Sequence, residues 1–186
     1  MSHTAPPTAD DTVPAWRRRL ARSAVGAFLV GMIVLWTYVL FLSPREGVNR
    51  FEDRQWAERA ESICADYADD RSLLADYRRL DSGGSELIRE RADIIDRATD
   101  IVDAMVDELE ADLPADAKGQ AIVPMWIDEY RIYIDDRRRY TDELRTTGEN
   151  LPFYETMSEV PISERLATFA ADNEMATCSP PLDLGM

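Results

Sequence analysis

Histidine is the side chain that most readily moves protons near neutral pH, and this sequence has one, His3. Its place at the start of the chain removes histidine-based acid–base triads, helical Glu-x-x-His di-metal sites and histidine-rich zinc sites from the rest of the protein. No glycine-rich phosphate loop and no G-x-S-x-G elbow occurs. Carboxylates are abundant, but Asp66, Asp69 and Asp70, and the pair Asp135 and Asp136, read as solvated helix faces rather than as paired catalytic acids. The run Asp81-Ser82-Gly83-Gly84-Ser85-Glu86 is rich in oxygen ligands but lacks the EF-hand spacing and its later glutamate. Asp135-Asp136-Arg137-Arg138-Arg139 reads as a solvated turn with local ion pairing. These residues predict no catalytic group, no cofactor and no metal site, and hence a protein that is not an enzyme.

Two further groups have chemistry to offer. Cys64 and Cys178 are the only cysteines. Both fall on the side of the membrane read below as oxidising, which predicts one disulfide tying the end of the chain to a helix; the alternative is two buried thiols. A C-x-x-C redox pair is absent. Closing so long a loop is worth up to ~4–5 kcal/mol on the chain-entropy argument. The aromatic row Trp126, Tyr130, Tyr133 and Tyr140 has helical spacing, which suits a core more often than a ligand groove.

Charge sets the compartments. The formal net charge is −15 over 186 residues. Before residue 23, four arginines face two aspartates, a local +2; after residue 44, 17 basic residues face 34 acidic ones, a local −17. So acidic a domain excludes nucleic acid as a partner. Between Ser23 and Pro44 there is no charged residue. The apolar core of that stretch, Ala24 to Leu42, is 19 residues, or ~28 Å of helix, close to the hydrocarbon thickness of a bilayer. A cleaved signal peptide would have a shorter apolar run and small residues at its exit, whereas this run leaves through Tyr38-Val39-Leu40-Phe41-Leu42. The reading is an uncleaved membrane anchor with the bilayer as its first partner. Arg17, Arg18, Arg19 and Arg22, packed just before the span, predict a cytoplasmic N-terminus and an extracytoplasmic C-terminal domain. Ser23, Ala27 and Gly31 recur every four residues and offer a small-residue face for helix pairing.

The predicted layout is all-α: a short cytoplasmic tail over 1–22, too small for an output module, a transmembrane helix over 23–44, and an antiparallel bundle of about four helices over 45–186. The first bundle helix is expected from Asn49 to Leu80, on a seam of Trp56, Ala60, Ile63, Tyr67, Leu74 and Tyr77 that is broken at Asp70. Gly83 and Gly84 stop it. The next starts at a Ser85 cap, carries Leu87, Ile94 and Ile101 beside Ile88, Ile95, Val102 and Leu109, and closes by Pro114. A third follows Pro124 and ends at Gly148, and a short fourth is capped by Ser163 and packs Ile162, Leu166, Phe169 and Ala170. No segment alternates as a strand would, and no repeat is visible.

An arginine-rich anchor, Ile63-Cys64-Ala65 in the first bundle helix, and Asn173-Glu174-Met175 leading to Cys178-Ser179-Pro180-Pro181 together resemble actinobacterial single-pass membrane proteins with a helical extracytoplasmic domain. The resemblance implies a fold and a location, and no activity. The expected function is a non-enzymatic envelope protein presenting an interaction surface, to another envelope protein or to a second copy through the transmembrane helix. The alternative is a ligand-sensing or accessory domain of a signalling or transport complex.

Overall fold

The computed structural model describes residues 15–42, 47–78 and 83–183, and it divides into two compact units, Met1–Arg45 and Glu46–Met186. Among the described residues the first unit is one helix, α1 (Ala15–Thr37), continued by a π-helical turn over Tyr38–Leu42. Its window Arg22–Phe41 has a mean hydropathy of 2.2 and none of it is buried against protein. By length and composition it can cross a membrane. Thr37, the one hydroxyl in its last turn, donates to the Ile33 carbonyl at 2.8 Å, so its polar hydrogen is satisfied inside the helix. α1 begins at Ala15, so Arg17, Arg18, Arg19 and Arg22 ride on its opening turns.

The second unit is a helical bundle: α2 (Arg54–Ser72), α3 (Gly84–Glu110), α4 (Ala117–Thr147) and α5 (Ile162–Asp172), followed by a 3₁₀ turn over Ala176–Cys178. Among the described residues there is no strand, only an isolated bridge between Met157 and Pro161. Arg59 meets Asp112 and Tyr67 meets Glu108, so α2 and α3 run antiparallel. Arg131, Arg138 and Arg145 of α4 meet progressively earlier acids of α3, so those two are antiparallel as well. The core is aromatic at one end. Trp126 stacks on Phe169 at 5.0 Å and meets Tyr130 edge-on at 5.1 Å, and Phe51 packs on Trp56. A second cluster joins Ile88, Ala92 and Ile95 of α3 to Tyr140 and Leu144 of α4. The aromatic row of α4 is therefore core.

Several expected boundaries move. α2 starts at Arg54, because Asp53 caps it by accepting from the Trp56 N–H at 2.9 Å, and the chain before it turns so that Phe51 is buried. It ends at Ser72, where the Ser72 hydroxyl donates back to the Asp69 carbonyl and the chain leaves the helix through a turn. Leu74 and Tyr77 thus leave the seam, and Tyr77 is exposed. Leu80, Asp81 and Ser82 lie outside the described residues. Ser85 caps nothing: α3 opens on Gly83 and Gly84, the latter at φ +65°, which glycine adopts without strain. Pro124 lies well inside α4, which begins seven residues earlier under the Asp116 cap. Burial of Val123, Trp126 and Ile127 outweighs the lost backbone bond of the proline. Ser163 is also inside its helix. Its amide and hydroxyl both donate to Glu155, at 2.7 and 2.9 Å, so a loop carboxylate serves the start of α5.

The largest correction concerns Asp135-Asp136-Arg137-Arg138-Arg139. It is mid-helix in α4, with Asp136 and Arg137 fully buried. Asp136 accepts from Arg139 and from the amide and hydroxyl of Thr156, pinning the 149–161 connection to α4.

Candidate functional site

Three helices each place one arginine in an otherwise apolar seam. On α2 the inward positions Ala57, Ala60, Cys64 and Tyr67 are followed at the same 3-4 spacing by Arg71. On α3, Ile88, Ile95, Ala98 and Val102 leave Arg91 at the matching position. On α4, Tyr130, Tyr133, Tyr140 and Leu144 flank Arg137 in the same way. Guanidinium groups at seam positions are costly to bury, so each needs a partner.

The C-terminal segment supplies it. Helix α5 ends in a Schellman turn, with Met175 N–H donating to the Ala170 carbonyl at 2.8 Å and Glu174 N–H to Ala171 at 3.2 Å. Glu174 holds the left-handed position at φ 61°, where glycine is usual, and its carboxylate is gripped by Arg50 and Arg54. Those two cations hold the Glu174 carboxyl below the usual range. Buried Asn173 donates to the Asn49 and Phe169 carbonyls and accepts from Phe51 N–H.

Beyond the turn, Cys178 is bonded to Cys64 at an S–S distance of 2.07 Å, and both sulfurs are buried. The expected disulfide is present. Tyr130 donates to the Cys178 carbonyl, and Tyr133 donates to the Pro181 carbonyl at 3.2 Å. Burial pushes the Tyr130 hydroxyl far above its ordinary pKa, which keeps it a donor at every physiological pH.

The segment then delivers Asp183 to the arginines. Arg137, 0% exposed, forks onto both Asp183 carboxylate oxygens at 2.8 and 3.2 Å, and its Nε donates to the Thr99 hydroxyl at 2.9 Å. Burial opposes the Arg137 charge, and the Asp183 carboxylate outweighs it, so its pKa is raised. Arg91 donates to the main-chain carbonyls of Asp76 and Asp183 at 3.1 and 2.9 Å. Arg71 Nε stands 3.8 Å from the same carboxylate, a charge contact too long for a hydrogen bond. Burial lowers the Arg71 pKa despite Asp183, and the like charge of Arg137 adds to the fall.

Beside this cluster is a cavity of about 330 Å³, lined by Arg71 and Arg91 and walled by Leu74, Ala75, Ile94 and Ala98. A second, shallower hollow of about 380 Å³ lies between α4 and α5, with Met125 and Val160 at its edge and Glu129 and Glu164 among its lining. Among the described residues no group of three His, Cys, Asp or Glu side chains is placed to hold a metal ion. Of the oxygen-rich run before α3, Asp81 and Ser82 are outside the described residues.

Ser23, Ala27 and Gly31 share one face of α1, and nothing lies within 4 Å of a Cβ built on Gly31. The residues missed at the level of sequence are Arg71, Arg91, Arg137 and Asp183. A signal for the first three was present, a charge at a position the 3-4 spacing reserves for apolar side chains. Nothing in the spacing of Asp183 marked it. The chain matches no family model, no curated protein and no solved structure.

Proposed function

We propose that this is a membrane-anchored, non-enzymatic envelope protein whose helical domain sits outside the cytoplasm and presents an interaction surface there. The observation that carries the reading is α1. Its window Arg22–Phe41 has no charge after Arg22, a mean hydropathy of 2.2 and no cover from its own chain, which favours a covering of lipid. The Cys64–Cys178 bond supports the same side of the membrane, since structural disulfides persist in oxidising compartments. The resemblance to actinobacterial anchored proteins points the same way. Arg17, Arg18, Arg19 and Arg22 before the span support a cytoplasmic N-terminus.

Alkaline phosphatase fused after Met186 should be active in intact cells, and green fluorescent protein at the same place should be dark. The reverse pattern overturns the topology. N-terminal sequencing of the membrane fraction separates anchor from signal sequence: a mature chain starting beyond Ser43 would show that α1 is removed. Crosslinking in intact cells, read by mass spectrometry, should return a second envelope protein reproducibly; the monomer alone would count against a presented surface.

A further inference from the structure

We propose that the cavity beside Arg71, Arg91 and Asp183 is a binding site for a small amphiphilic carboxylate, its acidic head on the arginines and its short apolar chain against Leu74, Ile94 and Ala98.

Charge is the first support. Three guanidiniums from three helices converge on Asp183, Arg137 and Arg71 at its carboxylate and Arg91 at its main-chain carbonyl, and the carboxylate is claimed bidentately by Arg137. The neighbouring Asp76 carboxylate is taken by Arg78, through Nε and Nη2 at 2.8 to 3.1 Å. Among the described residues Arg71 has the 3.8 Å contact to Asp183 as its one ion pair, at 16% side-chain exposure and in the cavity wall. A guanidinium so placed gains from a second anion, because partial burial strengthens charge-assisted hydrogen bonds. Shape is the second support. About 330 Å³ is near the lower end of the ~300–1,000 Å³ typical of ligand cavities, and most of the lining is aliphatic, so the fit is to a short chain with one polar end. Asp183 already shows the head-group chemistry: a carboxylate delivered to these arginines on an apolar tether, Pro181-Leu182.

The inference goes beyond the proposed function and is independent of topology, because the site lies wholly within the Glu46–Met186 unit. It is tested on the full chain in phosphatidylcholine nanodiscs, with ¹⁵N-labelled arginine and guanidinium Nε–H signals as the readout. Sodium octanoate should shift the Arg71 and Arg91 signals saturably. Octanol and octylamine, with the same chain and no anion, should not. Acetate, with the head but no chain, should bind at least about tenfold more weakly. Oleate should fail because its chain exceeds the cavity, which separates a free short-chain acid from a membrane fatty acid. Arg71→Gln should abolish the octanoate response. Should Arg71→Gln not fold, Ala75→Trp serves, since Ala75 is exposed, lies outside the helices and borders the cavity, so the variant blocks the cavity without removing a charge. No saturable shift in the unmodified chain, an equal response to octanol, or an undiminished response in Ala75→Trp would overturn the proposal.

Discussion

Two aspartates show how single side chains set where helices begin. Asp53 accepts the amides of Trp56 and Ala115, while Asp116 accepts those of Gly119 and Asp53, so each caps its own helix and holds the start of the other. Removing the Asp116 carboxylate by Asp116→Ala should cost about 1 kcal/mol, measured as a fall in urea midpoint at unchanged slope. The amides of Ala115 and Trp56 hold the Asp53 carboxyl below its ordinary pKa of 3.8. A depressed folded-state pKa gives stability that is complete above the unfolded value and lost as pH falls through the folded one. Acid titration of unfolding should therefore show a loss below about pH 4 that is smaller in Asp53→Asn. The buried pair Arg137–Asp183 makes an asymmetric prediction. Asp183, 23% exposed, can be solvated if Arg137 is lost, whereas Arg137 at 0% cannot if Asp183 is lost. Asp183→Asn should cost about 3 kcal/mol and Arg137→Met clearly less, by urea unfolding of both variants.

Between elements, α3 and α4 are joined by a polar ladder outside their apolar seam. Arg131, Arg138 and Arg145, one per heptad, face Asp103, Asp107 and Glu110, then Asp100 and Asp103, then Asp93 and Asp96. Apart from Asp96 at 27%, these groups are about a third exposed or more, so solvent screens them. A double-mutant cycle on Arg138 and Asp100 should give a coupling below about 1 kcal/mol that shrinks in molar salt. The ladder contributes register more than stability. The end of α4 is less forgiving. Gly148 lies at φ 67° and an added Cβ would stand 2.7 Å from Ser85 Cβ, so the turn also sets how closely α3 and α4 approach. Gly148→Ala should cost about 1–2 kcal/mol in chemical unfolding, with faster amide exchange in the last turn of α4.

At the scale of the whole bundle, one bond fixes how its ends meet. Cys64 and Cys178 are 114 residues apart, and the segment they hold carries Met175 and Pro181 into the core and Asp183 to the arginines. Cys64→Ala with Cys178→Ala should cost about 3 kcal/mol, read as a drop in thermal midpoint. Because both sulfurs are buried, thiol reagents should leave the bond intact in buffer and reduce it readily in urea, followed by mass shift on alkylation.

The sequence by itself determined the apolar span, the all-α class and the inward rows of α3 and α4, and it limited any disulfide to the one pair Cys64 and Cys178. Each of those follows from local periodicity, from solvent preference or from there being only two thiols. Helix starts were poorly legible, because Asp53, Asp116 and Glu155 cap through contacts, some of them distant in sequence, that spacing does not reveal. The arginine site was half legible: Arg71, Arg91 and Arg137 interrupt seams, but on one helix at a time each reads as a solvated charge. Only the tertiary structure decided that the three meet at one end of the bundle, because burying a guanidinium is tolerable only where packing brings an anion to it, and here that anion arrives on a segment at the far end of the chain.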